Sequence, residues 1–259
     1  MSPDYTVPSI DRAVQILEIL SNSPNGVSLA ELSQKTKIPK STLFRILFTM
    51  QRYSIVNEDR ERKVFTLGMK LIYWGNAAHE KIDLKSIAHP HLVSLSYETK
   101  ESFYLAVLDD DTKEVIIIDR VDTPEVWGIV ARLGTRSPFH CTATGQVMTA
   151  DMREEDLDKL ISEKGLKKFT PKTITSKTAL KRKLKKVREQ GVAVCDREYK
   201  NDLIAIAVPI YDHTGKVVAS LMTAIPKNKT NNTDKVVEEL VKALRREGLN
   251  ISRKLGYKD

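Results

Sequence analysis

The segment SLAELSQKTKIPKSTLFRIL at residues 28–47 decides the fold of the first part of this chain. Ser28 and Glu31 form the S-x-x-E pattern of a capping box, which marks the start of a helix. A tight turn then leads to another helix, on which Leu43 and Leu47 recur at helical spacing. Two short helices joined in this way predict a helix-turn-helix, and its second helix is expected to read DNA.

The sequence on both sides of this segment completes a winged module. Apolar residues recur at helical spacing over 10–20, which predicts a preceding helix. Two candidate strands, Ser54–Asn57 and Lys63–Leu67, flank the charged turn EDRER and predict a wing. We therefore assign residues 1–67 to a winged helix-turn-helix and residues 68–82 to a connecting helix.

Residues 83–259 mix helices with strands and predict an α+β domain with a mainly antiparallel sheet. The stretch 84–100 has a helical pattern, although Pro90 predicts a kink or a restart within it. Strands are expected at 203–211 and 216–225, joined by the hairpin turn DHTG. A last helix is expected at 233–252.

The polar and cationic residues of the winged module are the candidate DNA contacts. Small hydroxyls and cations at the start of a reading helix suit base edges and phosphates. The candidates on that helix are Lys40, Ser41, Thr42 and Arg45. Arg60 and Arg62 on the wing are expected to reach the backbone or the minor groove, and Ser28 a phosphate. The expected partner is double-stranded operator DNA, and a dimer of such modules would bind a palindromic site.

The net charge of the chain is +8, which favours an anionic partner, but its distribution does not point to the winged module. Residues 1–67 carry nine basic and seven acidic residues, whereas residues 164–188 carry eleven basic residues and no acidic one. Within that stretch Leu180, Leu184 and Val187 give the helix an apolar face. We therefore interpret its lysines as an ordinary solvated surface.

Composition excludes several other classes of protein. No apolar run is long enough to span a membrane, and no secretory signal precedes the first helix. The two cysteines provide no disulfide framework, which fits a reducing compartment. We expect a cytoplasmic protein that has no membrane partner and requires no cofactor.

Several motifs resemble the isocitrate-lyase-regulator (IclR) family of bacterial transcription factors. They are SIDRAVQIL (9–17), the segment 28–47, FTLGMKLIYWG (65–75), VARLGTRSPFHCTATGQVMTA (130–150), GVAVCDREY (191–199), AIAVPIYDHTGKVVASL (205–221) and ISRKLGY (251–257). The resemblance covers nearly the whole chain. It implies a GAF-like effector-binding domain after the winged module, a homodimer formed largely through the DNA-binding half, and frequent tetramers. It also implies a small organic acid as the effector that controls transcription.

The resemblance places the effector against a helix start, an aspartate and two sheet strands. The residues that it carries over are Thr142, Ala143, Thr144, Gly145 and Asp196. Where many family members have thiols or hydroxyls on the two strands, this chain has Ala205, Met222 and Ala224. The pocket is therefore expected to be more apolar than one built for a two-carbon acid.

The alternative sensor residues are His140, Cys141 and Cys195. They suggest a regulator that senses a metal or oxidation or, less favoured, an enzyme with a cysteine nucleophile. The two cysteines lie 54 residues apart, unlike the close spacing of structural zinc sites. The sequence shows no paired carboxylates, phosphate loop or catalytic triad. Buried, inert cysteines are the favoured interpretation, with no metal site and no catalytic residue.

Overall fold

The computed structural model describes residues 6–79, 83–123, 125, 129, 131–228 and 232–258, with the backbone alone for 76–79. The chain divides into two compact units, Met1–Ile82 and Asp83–Asp259. Among the helices described, none is both long and apolar enough to cross a membrane.

Three helices form most of the first unit: α1 (Pro8–Ser21), α2 (Leu29–Thr36) and α3 (Lys40–Arg52). The predicted capping box is present at the start of α2. The Ser28 hydroxyl accepts a hydrogen bond from the Glu31 amide, and the Glu31 carboxylate accepts one from the Ser28 amide. Lys37, in the left-handed conformation with φ 58°, ends α2. The chain can therefore reverse within three residues and begin α3.

A small antiparallel sheet, in the order β1-β3-β2, completes this unit. Its strands are β1 (Val27–Ser28), β2 (Val56–Asp59) and β3 (Val64–Leu67). The first wing strand begins two residues later than predicted, because Ser54 has φ 56° and its carbonyl oxygen accepts a hydrogen bond from the Lys70 amide. The core beneath comprises Ile16, Leu20, Leu32, Leu43, Leu47, Val56 and Phe65, among others. The connecting helix α4 spans Lys70–His79.

The second unit is built on a six-stranded sheet in the order β6-β5-β4-β9-β8-β7. The strands are β4 (Phe103–Leu108), β5 (Val115–Val121), β6 (Arg136–Ser137), β7 (Ala193–Asp196), β8 (Leu203–Tyr211) and β9 (Val217–Pro226). Every neighbouring pair is antiparallel. The predicted α+β class with an antiparallel sheet is confirmed.

Two long helices, α5 (Leu84–Thr99) and α9 (Thr233–Lys254), cover one face of this sheet. Their buried residues form a single core with the strand residues that point the same way, such as Ile206, Leu221 and Leu244. Of the two expected outcomes at Pro90, a kink or a restart, the restart does not occur, since α5 continues through this residue. Pro90 lies on the exposed side of α5, where water can hydrogen-bond the carbonyl group that lacks its usual amide partner.

Three further helices are α6 (Ala143–Thr149), α7 (Glu154–Lys164) and α8 (Lys177–Gln190). The short helix α6 packs on the other face of the sheet, where Ala143 and Val147 contribute to a cluster with Ala193 and Ala207. Helices α7 and α8 contribute leucines to a separate cluster around Phe139. Small side chains on this face of the sheet leave room for α6 to lie close to the backbone.

Gly145 allows α6 to lie against the preceding loop. A Cβ atom on this residue would sit 2.3 Å from the carbonyl oxygen of Phe139 and 2.4 Å from its Cα. Backbone atoms cannot rotate away as a side chain can, so a methyl group at this position must displace the helix or the loop. Gly145 is therefore required by packing.

Replacing Gly145 with Ala is expected to lower the free energy of unfolding by about 3 kcal/mol, the upper end of typical overpacking costs. Urea denaturation followed by circular dichroism measures the change. The matched control is Gly75→Ala in α4, because a Cβ there meets nothing within 4 Å. That change is expected to be neutral or to stabilise by up to about 1 kcal/mol. Equal stability of the Gly145→Ala variant and the parent would contradict the packing role.

Candidate nucleic-acid interface and ligand cavity

Helix α3 has one buried and one exposed face. Leu43, Leu47 and Met50 point into the core of the first unit. Of the predicted contacts on this helix, Lys40, Ser41 and Arg45 are exposed and Thr42 is half-buried. Phe44, Phe48 and Thr49 are exposed as well. The exposed face is free to enter a groove without loss of core packing.

The wing presents Arg60 and Arg62 in the turn between β2 and β3, and both are exposed. Asp59 fixes this turn, because its carboxylate accepts hydrogen bonds from the amides of Glu61 and Arg62. Among described residues, neither wing arginine forms an ion pair, and the same holds for Lys40, Arg45 and Arg52 of α3. Within the described part of the first unit, these exposed cations therefore have no ion-pair partner.

Ser28 has a different environment from the other predicted contacts. Its hydroxyl donates to the Glu31 carboxylate at 2.8 Å in addition to accepting from the Glu31 amide. Hydrogen bonds from the backbone and side chain of Ser28 lower the pKa of Glu31. A phosphate at Ser28 would have to displace this carboxylate, so the hydroxyl is committed to the cap.

Five of the eleven basic residues in the stretch 164–188 form ion pairs with described carboxylates of the second unit. Lys181 bridges Glu154 and Asp158 of α7 at 2.6 and 2.7 Å. Lys177 also contacts Asp158, and Lys183 contacts Glu198. Because these carboxylates neutralise the lysines locally, the stretch offers less charge to an anionic partner than its composition suggests.

A cavity of about 420 Å³ lies between the sheet and the start of α6. Most of its wall is apolar. The lining residues are Tyr104, Ile117, Ile129, Ala131, Arg132, Thr135, Ser137, Cys141, Thr142, Ala143, Thr144, Cys195, Tyr199, Lys200, Leu203, Ala205, Met222 and Ala224. The structure thus brings together six of the eight predicted effector residues: Thr142, Ala143, Thr144, Ala205, Met222 and Ala224.

Asp196 and Gly145 do not line the cavity, which corrects their predicted roles. Successive residues of a strand point to opposite faces, so the position of Cys195 in the wall turns Asp196 away from it. The carboxylate of Asp196 instead contacts Arg197 at 2.9 Å and Lys172 at 2.6 Å. The hydrogen bond from Arg197, with a further one from Lys172, lowers the pKa of Asp196 to about 2.

Two groups of lining residues were missed by the sequence reasoning. Tyr104 on β4 hydrogen-bonds the backbone, because its hydroxyl donates to the carbonyl of Ile129 and accepts from the amide of Ala131. Burial raises the pKa of this hydroxyl. Arg132 and Lys200 are exposed cations that also line the cavity. Arg132 belongs to the motif at 130–150, but nothing in that motif indicates that it meets Tyr104 and Lys200, which come from distant segments.

The alternative sensor residues do not form a metal site. In the part of the chain that the structure describes, no group of three or more His, Cys, Asp or Glu side chains is arranged to hold a metal ion. Burial raises the pKa of Cys141 to about 12 and that of Cys195 well above its ordinary value. Burial lowers the pKa of His140, whose Nε2 lies 3.0 Å from the carbonyl oxygen of Lys167. Both thiols are therefore protonated at neutral pH and weakly nucleophilic.

Comparison with known proteins matches both units to one family. The profile for the bacterial transcriptional regulator IclR C-terminal domain matches residues 76–253, and that for the IclR helix-turn-helix domain matches residues 9–60. The HTH-type transcriptional regulator XynR of Escherichia coli (strain K12) is 30% identical over 251 residues, which cover 97% of this chain and 98% of that protein. The transcriptional repressor IclR of the same strain is 32% identical over 232 residues, covering 90% of this chain and 84% of that protein.

A solved structure shows the same arrangement of elements. The IclR structure of Thermotoga maritima has a TM-score of 0.62 and 30% sequence identity to this chain, covering 96% of this chain and 99% of that one. These relatives are transcription regulators, which confirms the expectation of a regulator and not an enzyme. The helix-turn-helix and the C-terminal profile together cover both units, and the chain belongs to the IclR family of DNA-binding transcription regulators.

Proposed function

We propose that this regulator binds a palindromic operator through α3 and the wing, and that a small organic acid in the cavity controls the binding. The observation that carries the DNA-binding part is the set of exposed cations on α3 and the wing that form no ion pair with a described residue. Lys40, Ser41, Thr42 and Arg45 contact base edges and phosphates in the major groove. Arg60 and Arg62 reach the backbone or the minor groove. Such a regulator acts in the bacterial cytoplasm, where the operator lies.

The operator is read by a homodimer, with half-sites about one helical turn apart. Exposed apolar side chains on two helices of the first unit support this assembly. Ile10 and Val14 of α1, and Ile72 and Trp74 of α4, are all exposed in the single chain. Covering this surface with a second copy is favourable, since burial of apolar area lowers the free energy. The tetramers that the resemblance implies would pair two such dimers.

Repression is the favoured outcome of operator binding. Two relatives carry that activity in their names, the transcriptional repressor IclR of Escherichia coli and the acetate operon repressor of Salmonella typhimurium. A repressor of this kind blocks transcription while bound and is released, or retained, by its effector. The effector can act only by binding one arrangement of the protein more tightly than another.

The effector that best fits the cavity is a carboxylate with an apolar or aromatic body. The cavity volume lies within the range of small-molecule sites, and its wall is mostly apolar. Thr142 caps α6 through the amide of Gly145, so the amides of Ala143 and Thr144 precede the first capped donor. These amides suit a carboxylate, since the first amides of a helix lack partners within it. Lys200 and Arg132 add positive charge at the cavity.

Arg45→Ala is expected to weaken operator binding by about 1–3 kcal/mol, the value of a good base or charged phosphate contact. Folding should be unaffected, because the side chain is exposed and lies off the buried face of α3. If Arg45 contacts a phosphate, the slope of log affinity against log salt falls by about 0.9. Fluorescence anisotropy titrations at several salt concentrations measure both quantities.

The matched control for this variant is Lys185→Ala in α8, whose ammonium lies 4.0 Å from Glu189. This change should leave both the affinity and the salt slope at their parent values. A flatter salt plot for Lys185→Ala, with Arg45→Ala unchanged, would move the DNA-contacting surface to the basic stretch.

Lys200→Gln is expected to weaken binding of an aromatic carboxylate and to leave binding of its neutral amide unchanged. The physical reason is the loss of one positive charge at the cavity.

Met222→Ser should shift the preference of the cavity towards smaller and more polar acids, because it adds a hydroxyl and removes an apolar side chain from the wall. Thermal-shift screening of organic acids finds the ligand, since a ligand bound only to the folded state raises its stability. Calorimetry then compares the variants.

Lys186→Gln, an exposed change on α8 outside the cavity lining, is the charge-matched control. The effector proposal fails if Lys200→Gln and Met222→Ser bind every acid as the parent does. It also fails if a chelator or a reductant abolishes the response to the ligand, which would favour the sensor based on Cys141 and Cys195.

A further inference from the structure

Two phenylalanines lie exposed on the reading helix. Phe44 is 58% and Phe48 is 54% exposed, although both belong to a residue type that is normally buried. Their ring centres are 6.4 Å apart and the ring planes differ by 22°, so that they form one stacked pair. Residues four apart on a helix share a face, and the buried residues Leu43, Leu47 and Met50 lie on a different face of α3. The pair therefore contributes little to the core.

The residues around this pair indicate what covers it. Ser41, Arg45 and Thr49 are exposed on the same helix, adjacent to the rings. A partner for this surface must offer apolar groups for the rings and negative charge for Arg45 within one narrow surface. The major groove of DNA offers both, since thymine carries a 5-methyl group there and phosphates line the groove edges.

A second copy of the chain is a poorer partner for the same surface. A symmetric contact through this face would place the Arg45 side chains of both copies in one interface. Arg52, also exposed, adds another positive charge at the end of α3. Charge complementarity therefore favours the polyanion over the second copy.

We propose that Phe44 and Phe48 are specificity-determining residues that pack on the 5-methyl groups of thymines in each half-site. Phenylalanine is among the side chains that make this apolar contact in the major groove. The spacing of 6.4 Å between the rings compares with about 3.4 Å for each base-pair step. The two rings can thus meet different thymines. The inference rests on the proposed role of α3 as the reading helix.

Removal of the methyl groups tests this contact directly. The probe is a duplex that the full-length protein selects from a randomised double-stranded pool. Each thymine of the half-site is then replaced by uracil, which lacks only the methyl group, in both half-sites. We expect the parent to lose about three- to fivefold in affinity for each contacted methyl, the value of burying one such group. Phe44→Ala should bind thymine and uracil equally at one position, and Phe48→Ala at another.

Two further variants separate the contact from a general loss of stability or of aromatic surface. Phe44→Leu keeps an apolar side chain and should retain most of the preference for thymine. Tyr97→Ala removes an aromatic ring that is 77% exposed in the second unit and should leave the preference at its parent value. Thermal melting followed by circular dichroism is the check that each variant folds.

The inference is overturned if both alanine variants keep the parent's preference for thymine, or if the selected half-sites contain no thymine. It is also overturned if the variants change the oligomeric state in analytical ultracentrifugation while the preference stays the same, since a second copy would then cover the rings. Failure of the proposed function is distinguishable, because the protein would then select no duplex at all.

Discussion

Large and small side chains alternate along β8 and β9, and this alternation determines where the core and the cavity of the second unit lie. On β8, Ile204 and Ile206 point towards α5 and α9, whereas Ala205 and Ala207 point to the opposite face. The large residues build the core, and the small ones leave the space that α6 and the cavity occupy. A shift of one residue would exchange the two sets and remove the core and the cavity together. The same alternation fixes Cys195 in the cavity wall and directs the adjacent carboxylate elsewhere.

In the first unit, helix α3 is divided into a buried and an exposed face in a comparable way. The buried residues recur every three or four positions there, whereas along a strand they recur every two. Every third or fourth residue of α3 is buried, and the exposed positions between them are available for binding.

The positive charge that a surface offers to a partner depends on its ion pairs more than on its composition. The basic stretch 164–188 holds more cations than the winged module, yet several of its lysines contact carboxylates of the same unit. Cations without such partners, as on the wing, are the ones available to a phosphate.

The sequence prediction succeeded for the elements whose structure is determined by contacts between nearby residues. The capping box at Ser28, the tight turn after α2, the wing and the last helix all depend on residues a few positions apart, and the structure contains each of them. At Pro90 the sequence left a kink or a restart open, and the helix continues because the exposed side of α5 leaves the free carbonyl group to water. The cavity could be predicted only in part. Tyr104 enters its wall through the long-range pairing of β4 with β9, which no short pattern encodes.

The buried groups behind the cavity constrain the orientation of an acidic ligand. Glu198 is 7% exposed. Its carboxylate accepts a hydrogen bond from the side-chain Nε2 of Gln146 at 2.7 Å and lies 3.4 Å from the Lys183 ammonium. Burial raises the pKa of both Cys141 and Cys195, and the negative charge of Glu198 acts in the same direction. A second carboxylate placed there would meet the same repulsion. For the acid effector proposed above, this repulsion favours an acid group beside the exposed cations Arg132 and Lys200 of the cavity lining.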